Sequence, residues 1–252
     1  MDLPVVASNS TQATAVYDRL RADILAARIE PGRKLSMRFL MDAYITGQTP
    51  IREALNRLAA ERLVEFRDQR GFSVARISRT ELIELTKTRC WVEGLALREG
   101  MAAATPQWEE DLVLAHHRLL RMSRSLSAER FEDNPEWERL HRAFHRALIG
   151  QCGSPFLIDF CRQMADLLYR YRKISISKAF RWREVAEEHR AILETVLSGD
   201  GERAVALLTR HYTLTAEIIL SDPVVFPEAG TASDPAAGDE VASVERKEAA
   251  PQ

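Results

Sequence analysis

Histidine is scarce in this chain, with six in 252 residues, and two of the six close the pentapeptide HRAFH, His141 to His145. Neutral imidazole is a ligand for Zn, Ni, Cu or Fe. Residues four apart share one face of a helix, and Trp137 to Ile149 reads as an amphipathic helix, so both rings can address one object. On its own such a pair is more often a surface or core feature than a metal site. His189 and His211 supply a second pair. They fall on consecutive predicted helices joined by SGDG, and their midpoint is position 200, inside that turn. Residues equidistant from the turn of an antiparallel helix hairpin lie side by side, so these two should face each other. Where the fold brings both pairs together, four imidazoles converge. The remaining two, His116 and His117, are adjacent, cannot share a helix face, and are expected to face solvent.

The chemistry this pattern implies is binding rather than turnover. No HExxH is present. Glu138 precedes His141 by about one turn, but nothing in the sequence makes it a poised base. A metal held by side chains, with water or a ligand carboxylate completing its shell, suits sensing. Ligation needs neutral imidazole, so metal affinity is expected to fall below the ordinary histidine pKa of ~6.5. A metal-dependent enzyme fused to a binding module is the rival reading.

The elements that must position these residues are mainly helical. Leu, Ala, Arg and Glu dominate, with only 11 Gly and 10 Pro, a composition that favours helices. Residues 1–12 read as a disordered start. Val16, Leu20, Ile24 and Leu25 mark a first helix that stops before Pro31-Gly32. SMRFLMDAY follows as a short helix with Ser36 as N-cap. After the turn ITGQ, Thr49 caps a helix that Pro50 opens and that runs to about Leu63. VEFRDQRGFSVARI then reads as a two-stranded hairpin turning at DQRG. Helix, helix, turn, helix and hairpin within residues 13–78 is the layout of a winged helix-turn-helix, although a small α+β unit without a DNA role has the same order.

Residues 79–221 predict an all-helical bundle of about six helices. They run from a cap at Thr80 to about Ala104, from Pro106 to about Leu126, from Pro135 to Gly150, from Ser154-Pro155 to about Ile174, along KAFRWREVAEEHRAILETVL, and along ERAVALLTRHYTLTAEIIL. Residues 222–252, rich in Ala, Pro, Asp and Glu, read as a disordered acidic tail.

The net charge of −2 is unevenly spread. Residues 1–78 carry 12 Lys/Arg against 9 Asp/Glu, and residues 222–252 carry 2 against 7. A basic front suits DNA, although weakly. Three cysteines, Cys90, Cys152 and Cys161, form no CxxC pair and suggest no disulfide framework. MDLPVVASNS lacks the basic start and apolar run of a signal peptide. No stretch reaches the ~18 apolar residues of a membrane span. A cytoplasmic protein is expected.

PGRKLSMRFLMDAYITGQTPIREALNRLAAERLV resembles the PG-x-x-L…S-R-T-P-V-R-E-A-L-x-x-L-x-x-E-G-L-V pattern of the GntR family. Thr49 to Leu55 carry the specific core, and the resemblance covers residues 14–221. The histidine spacing resembles the FadR-like branch, whose helical C-terminal domain is called FCD. Metal sites of that domain use Asp or Asn, then His four, about 44 and about 22 residues further on. By that correspondence His141, His145, His189 and His211 would hold a divalent metal, Zn foremost, with Ni or Fe as alternatives. His141 stands where Asp is usual. That histidine and the segment CGSPFL…DLLYRYRKI are similar to repressors of glutarate and γ-aminobutyrate catabolism.

The resemblance implies a ligand-responsive, homodimeric repressor of a palindromic double-stranded DNA operator, released by a small carboxylate. An activator, or a regulator with another ligand class, remains open. The recognition helix would enter the major groove by its N-terminus. Arg52 would reach guanine or phosphate, and Thr49 would meet phosphate. Arg38 would touch backbone or base. Gly71 would permit the wing turn, and Arg70 at its tip would enter the minor groove. Gly47-Gln48 replaces the family's Ser-Arg. Gln48 can pair with adenine but cannot read guanine as arginine does, so the operator should differ from the family's commonest. Arg89, Arg170 and Arg172 are the effector candidates, because guanidinium grips carboxylate in a bidentate manner. For Arg89 a helical ion pair with Glu93 is the alternative.

Overall fold

A computed structural model describes residues 11–175 and 183–226. In chain order they form α1 (Gln12–Leu25), β1 (Lys34–Leu35), α2 (Met37–Tyr44), α3 (Gln48–Ala60), β2 (Val64–Arg67) and β3 (Gly71–Val74). The helices α4 (Arg79–Ala102), α5 (Pro106–Leu120), α6 (Pro135–Ile149), α7 (Pro155–Ser175), α8 (Val185–Leu197) and α9 (Gly201–Leu220) follow. The molecule is mainly helical, with a winged helix-turn-helix in front of a helical bundle. The expected N-terminal residues 1–10, residues 178–182 of the helix begun at KAF, and the tail beyond Phe226 lie outside the described residues.

Helix starts follow local capping chemistry. The Ser36 hydroxyl accepts from the Phe39 amide at 3.2 Å, and Asn134 accepts from the amides of Glu136 and Trp137, each satisfying amides that a helix N-terminus leaves free. Two caps differ from expectation. Ser78, not Thr80, caps α4 by accepting from the Glu81 amide at 3.0 Å. Thr49 is not the cap of α3, because the helix begins one residue earlier at Gln48 and Gly47 is its N-cap. The helix from Pro106 ends at Leu120 rather than near Leu126, since Ser123 and Ser125 tie the chain into a turn by hydrogen bonds with backbone carbonyls.

The wing carries one more strand than the hairpin alone. Leu35, in β1, pairs with Phe72, and β2 pairs on the other side through Phe66↔Phe72 and Arg67↔Gly71, giving the antiparallel order β1-β3-β2. Two residues after a Pro-Gly turn are too few for an alternating pattern, so β1 left no periodic signal. Gly71 has φ +76° with open space where a side chain would be, a backbone region that glycine enters without strain.

The cores of the two units meet. Leu20, Leu55, Leu58 and Val74 are buried in the winged unit, and Met164 and Leu167 of α7 join that same cluster. Between the units, Tyr171 is pinned at the start of α4: its hydroxyl accepts from the Ser78 amide at 3.1 Å and donates to Glu81. The chain does not leave the bundle at Asp222. Asp222 is buried and accepts from the Ser175 hydroxyl at 2.7 Å, and Val225 packs with Leu82 and Tyr171. Among the described residues no helix is long and apolar enough to cross a membrane.

Candidate metal centre and effector cavity

The bundle brings all four histidines of the two pairs together. His141 and His145 come from successive turns of α6, with ring centroids 4.6 Å apart. His189 on α8 and His211 on α9 face each other across the hairpin at 4.9 Å. The pairs meet at 5.2 Å between His145 and both His189 and His211, and one nitrogen from each ring lies within 4.8 Å of the others. His141 and His145 approach through their Nε2 atoms at 3.1 Å. His116 does not face solvent as expected. It is buried, and its ring packs on Phe144 at 5.4 Å, because α5 turns it inward against α6.

The surroundings fit a metal. The Nε2 of His189 is buried with no hydrogen-bond partner among the described residues, an expensive arrangement unless something accepts that lone pair. The far nitrogens of two rings are held. The Nδ1 of His211 is 2.7 Å from the Glu188 carboxylate, which Arg183 grips through two bonds of 2.7 Å. The Nδ1 of His145 is 2.9 Å from the Tyr212 hydroxyl, which itself donates to Glu93. Such partners fix the tautomer and leave the opposite nitrogen for a metal.

Protonation agrees with that role. Burial, reinforced by neighbouring cations, drives His141, His145 and His189 well below the ordinary imidazole value. Burial drives His211 down to about 4 against the opposing pull of Glu188. Glu188 is desolvated, which raises its value, yet the hydrogen bonds from His211 and Arg183 hold it at about 2. The cage is therefore neutral at pH 6.5, and proton competition with a metal begins at lower pH than the sequence alone suggested.

A cavity of about 420 Å³ opens over the cage and is lined by His141, His145 and His211, a size suited to a small ligand. Arg89 and Arg172 face it; Arg170 does not. Successive residues of an α-helix turn by 100°, so positions two apart point nearly opposite ways. Arg172 accordingly faces the cavity, ion-paired with Glu138 and with its Nη1 3.4 Å from His141 Nδ1. Arg170 points to the linker and donates to the Ala75 carbonyl. Arg89 makes the helical ion pair with Glu93 at 2.7 Å while its guanidinium lies over the Tyr212 ring at 3.9 Å. Arg142 and Tyr169 complete the wall; Tyr169 could be core or pocket by sequence, and Arg142 was missed as a site residue. For Arg142 the signal was its place four residues after Glu138 and three before His145, on the same face of α6. Cys161 also lines the wall, and burial pushes its thiol up to about 12.

At the other end of the molecule Arg38, Gln48, Thr49, Arg52 and Arg70 are all exposed. With its amide oxygen turned to Arg52, Gln48 accepts from Nε at 3.1 Å and Nη2 at 3.0 Å.

A winged helix-turn-helix joined to this bundle defines a transcriptional regulator. Comparison with known proteins agrees. The family described as bacterial regulatory proteins, gntR family, matches residues 12–74, and the FCD domain matches residues 84–214. The chain belongs to the GntR family of transcriptional regulators with an FCD domain. It is 33% identical over 207 residues to the HTH-type transcriptional repressor GlaR of Escherichia coli K12, covering 81% of this chain and 93% of that one. It is 34% identical over 210 residues to the HTH-type transcriptional regulator BphR of Paraburkholderia xenovorans, covering 81% and 84%. Among solved structures, Escherichia coli McbR/YncC superposes with a TM-score of 0.64 at 19% identity, covering 83% of this chain and 97% of that one. GlaR and BphR are named as HTH-type transcriptional regulators, and the likeness to McbR/YncC is one of fold.

Acid should destabilise the metal-free protein. Unfolded imidazoles titrate near ~6.5, whereas folded His211 titrates near 4. Between those values the unfolded chain binds more protons, so stability present above ~6.5 is lost as pH falls toward 4. Urea midpoints of metal-free protein measured across this range should decline. Midpoints that stay flat from pH 7 to 4.5 would contradict the buried, neutral cage.

Proposed function

We propose that this protein is a homodimeric, cytoplasmic repressor that binds a palindromic DNA operator through residues 13–78 and is released by a small organic acid. The acid would bind beside a divalent metal within residues 79–221. The observation that carries this reading is the neutral four-histidine cage at the floor of a cavity whose wall is cationic. Arg89, Arg139, Arg142, Arg146, Arg162 and Arg172 line it, against Glu93, Glu138, Asp159 and Asp166. His141, His145, His189 and His211 would hold the ion, Zn foremost among ions that accept imidazole, with Ni or Fe also fitting the donors. When bound, the metal supplies a Lewis-acid position for one carboxylate. Arg172 and Arg89 orient the ligand, and the surplus of arginine suits a second carboxylate, so a dicarboxylate of glutarate size fits the chemistry.

On DNA, Arg52 reads a base or phosphate from the start of α3, with Gln48 and Thr49 beside it. Arg38 supports from α2, and Arg70 reaches from the wing turn that Gly71 permits. Dimerisation assigns a role to the outer stripe of α4, where Ile83, Trp91 and Leu95 are exposed. The repeat along Ile83, Lys87, Trp91 and Leu95 keeps them on one helical face, and a second copy related by a two-fold axis matches a palindromic operator.

His189→Ala should lose the metal and the ligand response while operator binding persists. Elemental analysis of the purified variant, paired with an operator-release titration using glutarate, checks this; stoichiometric metal in the variant would defeat the cage. Arg52→Ala should weaken operator binding by about 1–3 kcal/mol with the fold intact, and a gel-shift titration at fixed salt showing unchanged affinity would refute it. Trp91→Glu should give monomers by light scattering where the wild type gives dimers. A dimeric variant would move the interface elsewhere.

A further inference from the structure

Neither metal binding nor DNA reading accounts for Asp166. It lies on α7 with its side chain only 5% exposed, and its two oxygens serve two parts of the molecule. Oδ1 accepts from Arg142 Nη1 of α6, in the cavity wall, at 2.6 Å. Oδ2 accepts from Arg21 Nη2 of α1, in the winged unit. Arg21 also donates through Nε to Glu61 Oε2 at 2.8 Å, and the Tyr17 hydroxyl donates to the same carboxylate. Glu61 is the residue that closes the C-terminus of the recognition helix α3. On the cavity side, Arg142 Nε donates to Glu138 Oε1 at 3.1 Å, and Glu138 accepts from Arg172 beside His141. A line of alternating charge therefore runs from the histidine cage to the end of α3: Arg172, Glu138, Arg142, Asp166, Arg21, Glu61.

Two features separate this line from ordinary surface pairing. Asp166, Glu138 and Arg172 have side chains 5%, 10% and 16% exposed, so solvent and salt screen them poorly. The second feature is Arg142 itself. It lines the cavity, and its Nη2 is buried without a hydrogen-bond partner among the described residues. A buried unpaired N–H is costly, and an arriving carboxylate would satisfy it.

We infer that Asp166 couples the cavity to the DNA-binding unit. It is a built-in carboxylate that brackets Arg142 to Arg21 until an anionic ligand competes for Arg142. The inference rests on the effector reading above for its ligand, though not for the bracket. A ligand carboxylate takes the free Nη2 of Arg142 and brings a like charge beside Asp166. Repulsion and the shared guanidinium loosen Asp166. The Arg21 bridge weakens with it, and α1 and α3 lose their fixed placement on α7. By linkage, operator binding weakens ligand binding by the same factor.

The test uses full-length, metal-loaded protein. Asp166→Asn keeps the shape of the side chain and removes its charge. Operator affinity of wild type, Arg21→Met, Asp166→Asn and the double variant is measured by fluorescence anisotropy at fixed salt without ligand. Each single variant should lose affinity on the order of tenfold, and the double should be no weaker than the weaker single, because both break one bridge. Asp166→Glu, which keeps the carboxylate, should restore binding. If Asp166→Asn does not fold, Arg21→Met with Arg142→Met carries the same cycle, since both arginines act through Asp166. With glutarate as the probe, Asp166→Asn should bind it several-fold more tightly by calorimetry, its internal competitor being gone, and should show no further loss of operator affinity. Wild-type operator affinity and response in Asp166→Asn, losses that simply add, or failure of Asp166→Glu to restore would each overturn the coupling. If wild type and variant both ignore glutarate while the cycle stays non-additive, the effector class falls and the bracket stands.

Discussion

Four neutral imidazoles buried around one point are the constraint from which the bundle's arrangement follows. A buried histidine must stay neutral or find a counter-charge, and a buried unpaired nitrogen must find an acceptor or a metal. The bundle meets both conditions by geometry. One helix supplies two rings a turn apart, and a hairpin supplies two more face to face. Glu188, Arg183, Tyr212 and Glu93 then hold the outward nitrogens, so the inward ones are committed to the centre. Phe144 and Trp137 close the apolar side, with Trp137 stacked on His141 at 4.7 Å.

From the cage outward, polarity is organised by arginine. The cationic wall that suits a carboxylate is the start of the charge line that ends on the recognition helix. The cavity and the winged unit are therefore joined by side chains as well as by the chain. α7 is central to this. It contributes Tyr169 and Arg172 to the cavity, Arg170 and Tyr171 to the linker, and Met164 and Leu167 to the core of the winged unit. A rigid helix that touches all three is the element through which a change in the cavity can reach α1 and α3.

Much of this was legible in the residues. The His189–His211 contact followed from counting outward from position 200, and the His141–His145 contact from helical periodicity. Proline and serine at helix starts placed most boundaries, while the Asn134 cap before Pro135 went unread. What escaped the sequence was direction and long-range partnership. RYR could not reveal that Arg170 and Arg172 serve opposite faces until α7 was oriented. Asp166 and Arg21 are 145 residues apart, and no local pattern marks such a pair. His116 was misread because adjacency to His117 says nothing about which face of α5 meets α6. The cap of α3 was misplaced because Thr-Pro is a strong local signal, while Gly47 can cap without a side chain.

The central claim is that the histidine cage is a metal centre. X-ray absorption at the metal edge of the purified, full-length protein tests it most directly. The account predicts a bound divalent ion whose shell is dominated by imidazole nitrogen at ~2.0–2.1 Å, the distance expected for Zn–N. A protein that stays metal-free after equilibration with Zn, Ni and Fe, or an ion surrounded by oxygen alone, would contradict it.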